Sequence, residues 1–302
     1  ARFVWRMVLL FGFGLLDLLF FNGDILTVYA LCGLLVLPFV RAGNRVLLLF
    51  AVLFALQPIE LVYLVGGLVN PRLQPLDLGS GAMFQAILPA QESGSWFDVA
   101  IAGLRYGLPV NFTWAIEHGR FTQTLFLFLL GLWIGRRRLL YDEGNNANVW
   151  RKVMLWSVVA FAVLCPLRYT VPQMFHAECV SASLTVMLDM WKNLAMTFFY
   201  VSLLTWAYHR TRARHVLAKI LPYGKMSLSN YLGQSVVGGF VFYHWGLGLY
   251  AVSGHTMSLM LGAAFVLLQF SFCKLWLRLH RRGPLEQVWH NLTWVGSDRR
   301  KK

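Results

Sequence analysis

The chain is predicted to fold as an all-α, polytopic transmembrane bundle with about eight spanning helices and both ends in the cytoplasm. Three observations predict this. Eight apolar stretches run from Phe3 to His280. The composition is 58% hydrophobic with 13% charged residues, where a soluble domain carries about 25% charged residues. Finally, Lys and Arg fall in alternate gaps. Those after the second, fourth and sixth stretches, and the tail after the eighth, hold Arg41 and Arg45; Arg136, Arg137, Arg138, Arg151 and Lys152; Arg210, Arg212, Arg214, Lys219 and Lys225; and Arg281, Arg282, Arg299, Arg300, Lys301 and Lys302. The gaps after the first and seventh hold none. Cytoplasmic loops retain basic residues during insertion, so the pattern assigns sides.

The net charge of +14 raises nucleic acid as a partner. No aromatic-plus-basic module accompanies it, so nucleic-acid binding is not expected. The partners expected are the lipid bilayer and its anionic headgroups. Cys32 and Cys273 lie in apolar stretches, and Cys165 and Cys179 share an outer side where a disulfide is conceivable. No metal-ligand spacing occurs, and no metal is expected. The chain opens at Ala1 directly on an apolar stretch, with no cleavable signal peptide, so an upstream portion is expected.

The whole chain, 1–302, reads as one transmembrane domain. The first span is Phe3 to Phe21, followed by an Asn22-Gly23-Asp24 turn outside. The second is Ile25 to Val40. The third, Val46 to Val69, contains Pro58, which frees a backbone carbonyl and kinks a helix. Residues 70–120 form an outer loop. Its apolar runs Met83 to Leu88 and Trp96 to Ile101 are too short to span and read as interfacial or re-entrant pieces. The remaining spans are Phe121 to Gly135, Val149 to Tyr169, Ser183 to Tyr208, Leu228 to Tyr250 and Met257 to Leu279. In the tail, 283–302, Leu285, Val288, Trp289 and Leu292 share one helical face, suited to the inner headgroups.

Polar groups inside a membrane are functional candidates. In the seventh span Asn230, Tyr231, Gln234 and Ser235 share a face, the substrate-binding candidates being Asn230, Tyr231 and Gln234. His244, 14 residues after Asn230 in the same span, points within roughly 40° of it, about 21 Å further out. The competing reading makes the amides packing glue between helices. Asp24 reads as an N-cap for the second span, a role compatible with serving as a base. Asp17 lies inside the first span, where a carboxylate needs a partner or a proton. Glu60 has no partner in sequence, while Asp189 and Lys192 are spaced to pair. Glu117-His118-Gly119-Arg120 puts an acid, an imidazole and a guanidinium before a helix N-terminus, which favours anions. The catalytic candidates are Asp24, His118 and His244, with Glu60 and Arg120 added to the binding set. No P-loop, GxGxxG, HExxH, GxSxG or CxxC motif occurs.

Several motifs together resemble the uncharacterised YeiB-like family of bacterial inner-membrane proteins. They are Gly23-Asp24-Ile25-Leu26 with Tyr29-Ala30; Gly224-Lys225-Met226-Ser227-Leu228-Ser229-Asn230-Tyr231-Leu232-Gly233-Gln234-Ser235; Phe242-Tyr243-His244; and Arg282-Gly283-Pro284-Leu285-Glu286-Gln287-Val288-Trp289. That family more distantly resembles membrane acyltransferases. The resemblance implies two further helices ahead of Phe3, about ten in all, carrying an Arg-Gly element that does not map here. Family members often place a His seven residues before the motif glycine, where this chain has Leu16 beside Asp17. If that His is the family's base, this chain uses another residue or does not catalyse.

The first functional expectation is therefore acyltransferase-like transfer of an acyl group to an envelope acceptor, a glycan or a lipid. Acyl-CoA is a possible donor, its phosphates held by Arg136 to Arg138 and Arg210 to Arg214. The alternative is a transporter or solute-permeation protein whose midplane site uses Glu60, the Asp189/Lys192 pair and the seventh-span amides. A further alternative is a non-catalytic envelope protein.

Overall fold

The structure, a computed structural model, describes residues 2–141 and 146–295. Arg299, Arg300, Lys301 and Lys302 of the basic tail lie outside the described residues. Among the described residues all regular structure is helical: α1 (Arg2–Asp17), α2 (Leu26–Val36), α3 (Asn44–Ala55), α4 (Pro58–Val69), α5 (Ser80–Ser93), α6 (Trp96–Ala102), α7 (Leu108–Glu117), α8 (Arg120–Arg136), α9 (Asn146–Thr170), α10 (Glu178–Arg210), α11 (Ala213–Lys225), α12 (Ser227–Phe242), α13 (His255–Leu279) and α14 (Pro284–Thr293). A 3₁₀ turn, Leu37–Val40, extends α2, and a π-helical turn, Gly103–Gly107, joins α6 to α7.

These helices form two compact units, one of Ala1–Leu31, Gly79–Asn111 and Val216–Lys302, the other of Cys32–Leu78 and Phe112–His215. In the first, α1 packs on α12 and α14, and α5 packs on α6. A small core of Ile87, Ala102 and Val110 joins α5 to the end of α6 and the start of α7. In the second, α10 lies along α9 and α4, and α3 along α8.

Among the described residues two helical stretches are long and apolar enough to cross a membrane, Asn146–Met174 and His255–Leu279. The bent pair α3 and α4 makes a third if it is one span. The pair bends by 46°. Pro58 cannot donate to the ladder, and Gln57 before it adopts a left-handed backbone with φ 52°. The indole N–H of Trp191 donates to the Ala55 carbonyl at 2.7 Å, satisfying an acceptor beside the break. The expected kink is thus present: the Phe54 carbonyl that Pro58 cannot serve accepts from the Gln57 amide at 3.1 Å, and the Ala55 carbonyl beside it is answered from α10.

Within the segment 70–120 both apolar runs form short helices, α5 and α6. Two expectations are corrected. The first span stops at Asp17, where the chain turns through Leu18 to Phe20. The seventh span stops at Phe242, eight residues early. The Tyr243 amide still bonds back to Gly239, but the next amide, that of His244, donates at 3.0 Å to the Gln91 carbonyl of α5. Leu247 then folds back to the Phe240 carbonyl at 2.7 Å, and Gly248 takes a left-handed φ of 62°. His244 therefore lies beyond the helix, exposed, and does not share a helical face with Asn230.

Candidate functional site

The richest polar cluster lies where the end of α1 meets α12 and the start of α2. Asp24 is 1% exposed. Its Oδ1 accepts from the Leu26 amide at 2.9 Å and its Oδ2 from the Thr27 amide at 2.8 Å. This is the capping role read from sequence, and it satisfies orphan amides at the α2 start. The Tyr231 hydroxyl reaches the same carboxylate at 3.4 Å and accepts from the Ile25 amide at 3.1 Å. Gly14 makes the approach possible: a Cβ there would lie 2.6 Å from Asp24 Oδ2 and 2.9 Å from the Thr27 nitrogen.

Asp17 closes α1 and is also 1% exposed, but neither of its oxygens has a hydrogen-bond partner. The hydroxyls of Ser235 and Tyr231 face it without completing a hydrogen bond, and the charge of Asp24 reaches it. Leu16, the position where the resemblance implied a His, turns outward at 51% exposure. The inward-facing acid is its neighbour.

Against Ser235 and Tyr231, the residues that face this carboxyl, opens a cavity of about 350 Å³, lined also by Gln234, Phe242 and Tyr243; Asp17 lies behind them and is not itself in the lining. The Tyr243 hydroxyl accepts from the Gln91 amide at 3.1 Å, which leaves its own proton for a ligand oxygen. Gln91 also donates to Asn22 at 2.7 Å. The arrangement joins a buried acid, two hydroxyls on α12 and a phenol as donor. A larger apolar trough, about 790 Å³ and lined by Trp133, Trp150, Trp156 and Trp191, lies in the second unit. It carries no convergent polar groups, so it offers hydrocarbon contact rather than chemistry.

The shared face of α12 splits in two. Tyr231 and Ser235 turn toward Asp24 and Asp17. Asn230 and Gln234 join a network with Tyr223 and Gln269. Asn230 donates to the Tyr223 carbonyl at 3.0 Å, Gln234 donates to the Tyr223 hydroxyl and Gln269 Oε1 at 3.0 Å each, and Gln269 donates to the Asn230 carbonyl at 3.0 Å. The Cys273 thiol donates to Asn230 Oδ1 at 3.3 Å. These amides tie α12 to α11 and α13, while Gln234 also reaches the cavity wall.

The remaining candidates belong to the second unit. His118 is exposed, stacks on Trp114 at 4.9 Å and approaches the Trp114 carbonyl through Nδ1 at 3.1 Å. Arg120 donates to Gln123 at 2.8 Å, and Glu117 accepts from the Leu78 amide. Glu60 is 3% exposed, with Oε1 unpartnered. Asp189 pairs with Lys192 as its spacing predicts, at 2.7 Å, and with Arg168, also at 2.7 Å. Arg136, expected near phosphates, instead donates to the Phe39, Val40 and Ala42 carbonyls and caps the end of the helical stretch Leu26–Val40. Among the described residues no three His, Cys, Asp or Glu side chains are grouped to hold a metal, and all four cysteines are free thiols.

Fold and site together describe an all-helical protein with apolar outer surfaces and a polar pocket built on a buried carboxylate. The family described as "Protein of unknown function (DUF418)" matches residues 134–296, more than half of the 302-residue chain, and the chain belongs to that family. It is similar to the uncharacterized protein YxaH of Bacillus subtilis (strain 168), 28% identical over 97% of this chain and 72% of that protein. It is also similar to an uncharacterized 39.9 kDa protein in the amylase 3' region of Bacillus acidopullulyticus, 26% identical over 97% of this chain and 71% of that one. A third relative is the uncharacterized protein YeiB of Escherichia coli (strain K12), 25% identical over 95% of this chain and 74% of YeiB. The YeiB-like resemblance carried by the motifs therefore holds. No solved structure matches.

Proposed function

We propose that this chain is a multi-pass bacterial inner-membrane protein, with eight spans and cytoplasmic ends, that transfers an acyl group to an envelope acceptor at the Asp17 pocket. The membrane part is supported by apolar exposure: Leu49, Val62, Val69, Trp156, Leu259 and Leu279 range from 66% to 84% exposed. Water would not tolerate so many large apolar groups, and lipid would. Helices α1, α8 and α12 are 16, 17 and 16 residues long, or roughly 24–26 Å at the helical rise. They are thin against a hydrocarbon core of about 30 Å, and flanking turns and snorkelling residues accommodate the difference. The alternation of arginine orients the spans.

The single observation that carries the chemical part is the buried, partnerless Asp17 carboxyl beneath the hydroxyls of a cavity. An acceptor hydroxyl placed there loses its proton to Ser235 Oγ while Ser235 passes its own to Asp17. The acceptor oxygen bonds to the acyl carbon, the bond from that carbon to the donor sulfur breaks, and the leaving thiolate regains the proton. The Tyr243 hydroxyl donates to the carbonyl oxygen as charge develops on it. Asp24, with both oxygens engaged by amides, holds the wall of the pocket.

The test is labelled acetyl transfer from acetyl-CoA in proteoliposomes. Asp17→Asn is expected to slow transfer by about 10²-fold or more, the scale of general-base catalysis. Unchanged transfer would remove Asp17 from the reaction. His118→Ala and His244→Ala in the same assay test the exposed imidazoles, and transfer retained in both removes them.

One observation favours the transport reading. Gln57 is fully buried with neither amide atom bonded, and Glu60 lies one turn on, at a broken helix of the kind that builds transporter ion sites. Under that reading Glu60→Gln abolishes solute uptake in vesicles and spares acyl transfer. Neither activity in the wild-type chain would leave the non-catalytic envelope role.

A further inference from the structure

The two motifs not yet given a role, Gly224-Lys225-Met226-Ser227 and Arg282-Gly283-Pro284, meet in space with the start of α1. Around them lies a cavity of about 710 Å³ whose walls include Arg2, Arg6, Lys225, Arg281 and Arg282. Among the described residues no carboxylate forms an ion pair with any of these five cations. The acid in the cavity wall, Glu286, is committed elsewhere: it accepts from the Ser229 amide at 3.0 Å and from the Ser229 hydroxyl at 2.6 Å. Five like charges around one hollow repel each other, and the arrangement is stabilised by an anion.

The cations are also held in place. The Arg2 guanidinium lies 4.5 Å over the Trp294 ring and that of Arg6 4.8 Å over Trp289. Trp5 ties α1 to α14 through a 2.9 Å bond to the Leu292 carbonyl, and Trp276 fixes the Arg282 carbonyl at 2.9 Å. Stacked guanidiniums keep their planar forks available, the geometry that recognises phosphate oxygens in pairs. A hollow of this size is larger than one inorganic phosphate needs and lies in the range of organic-ligand sites, about 300–1,000 Å³.

We infer that this cavity is a binding site for a ligand carrying two or more phosphates, either a soluble cofactor diphosphate or an anionic phospholipid headgroup. The site stands on its charges and does not require the acyl-transfer reading. If both hold, the phosphates sit about 16 Å along α1 from the Asp17 pocket, since Arg6 and Asp17 are eleven residues apart.

The experiment is a thermal-shift and binding titration of the purified full chain, with no turnover involved. Coenzyme A and pyrophosphate are added to protein in zwitterionic phosphatidylcholine nanodiscs, and cardiolipin, whose headgroup carries two phosphates, is incorporated in a parallel series. A ligand that binds the folded state raises the melting temperature. A shift with coenzyme A or pyrophosphate assigns the soluble source, and a shift with cardiolipin assigns the headgroup; either supports the site. The double substitution Arg6→Gln with Arg282→Gln is expected to weaken the effective probe at least about tenfold, whereas the exposed Lys219→Gln changes it little. For the wild-type chain, raising KCl from roughly 50 mM to roughly 500 mM is expected to weaken binding by about tenfold or more. This salt series serves even if the double variant does not fold. No shift with any probe, a shift equal in wild type and double variant, or binding indifferent to salt would overturn the inference. Loss of acyl transfer in Asp17→Asn with phosphate binding intact separates the two sites.

Discussion

Gly14 shows how one missing side chain builds the pocket. Gly14→Ala places a methyl against Asp24 Oδ2, Thr27 Cγ2 and the Thr27 nitrogen, all within 2.9 Å. The backbone nitrogen cannot yield as a flexible side chain would, so the substitution is expected to destabilise by about 1–3 kcal/mol and to loosen the α2 cap. Thermal unfolding in detergent measures it. A variant as stable as wild type would mean that α1 and α2 are not packed as described. Asp24 was legible as a cap because capping is local: donor and acceptor lie two and three residues apart. Asp17 was legible only as a buried charge. The groups that face it, Ser235 and Tyr231, lie more than two hundred residues away, and no spacing rule reaches that far. Arg136 was misassigned for the same reason, since nothing in an arginine run says which member will cap a distant helix end.

Helix boundaries followed periodicity where the ladder's own chemistry sets them and departed from it where another element intervened. Pro58 and its kink could be read directly, but the bond from Trp191 to the Ala55 carbonyl could not. Trp191→Phe removes the donor and leaves the Ala55 carbonyl unsatisfied beside the break. The expected cost is about 1–3 kcal/mol, read as a lower melting temperature. On α6, Ser95 and Asp98 form a reciprocal capping box, and the hydrogen bonds from Ser95 hold the Asp98 carboxyl below the usual carboxylate range. The folded-state value is thus below the unfolded one. The cap's contribution is complete above the unfolded carboxylate range and is lost as pH falls through the lowered value. Amide exchange in α6 is expected to accelerate over that acid window, and Asp98→Asn is expected to abolish the acceleration. The premature end of α12 at Phe242 had no sequence signal, because the competing acceptor is a backbone carbonyl on α5.

The whole chain poses a question of sides. Reporter fusions after Ala42, Arg138 and Lys225 are expected to fold in the cytoplasm. Fusions after Gly23, Gln173 and Ser253 are expected to be exported. A cytoplasmic readout at Gly23 would refute the eight-span arrangement. The helical class, the apolar character and the charge asymmetry were already present in the linear order of residues, because periodicity, hydrophobicity and flanking charge are local quantities read segment by segment. What that order does not contain is the pairing of remote surfaces. The Asp17 pocket joins residues near positions 17, 91 and 235, and the basic cavity joins residues near positions 2, 225 and 282. Such convergence depends on which helices pack together, a free-energy balance summed over the whole molecule.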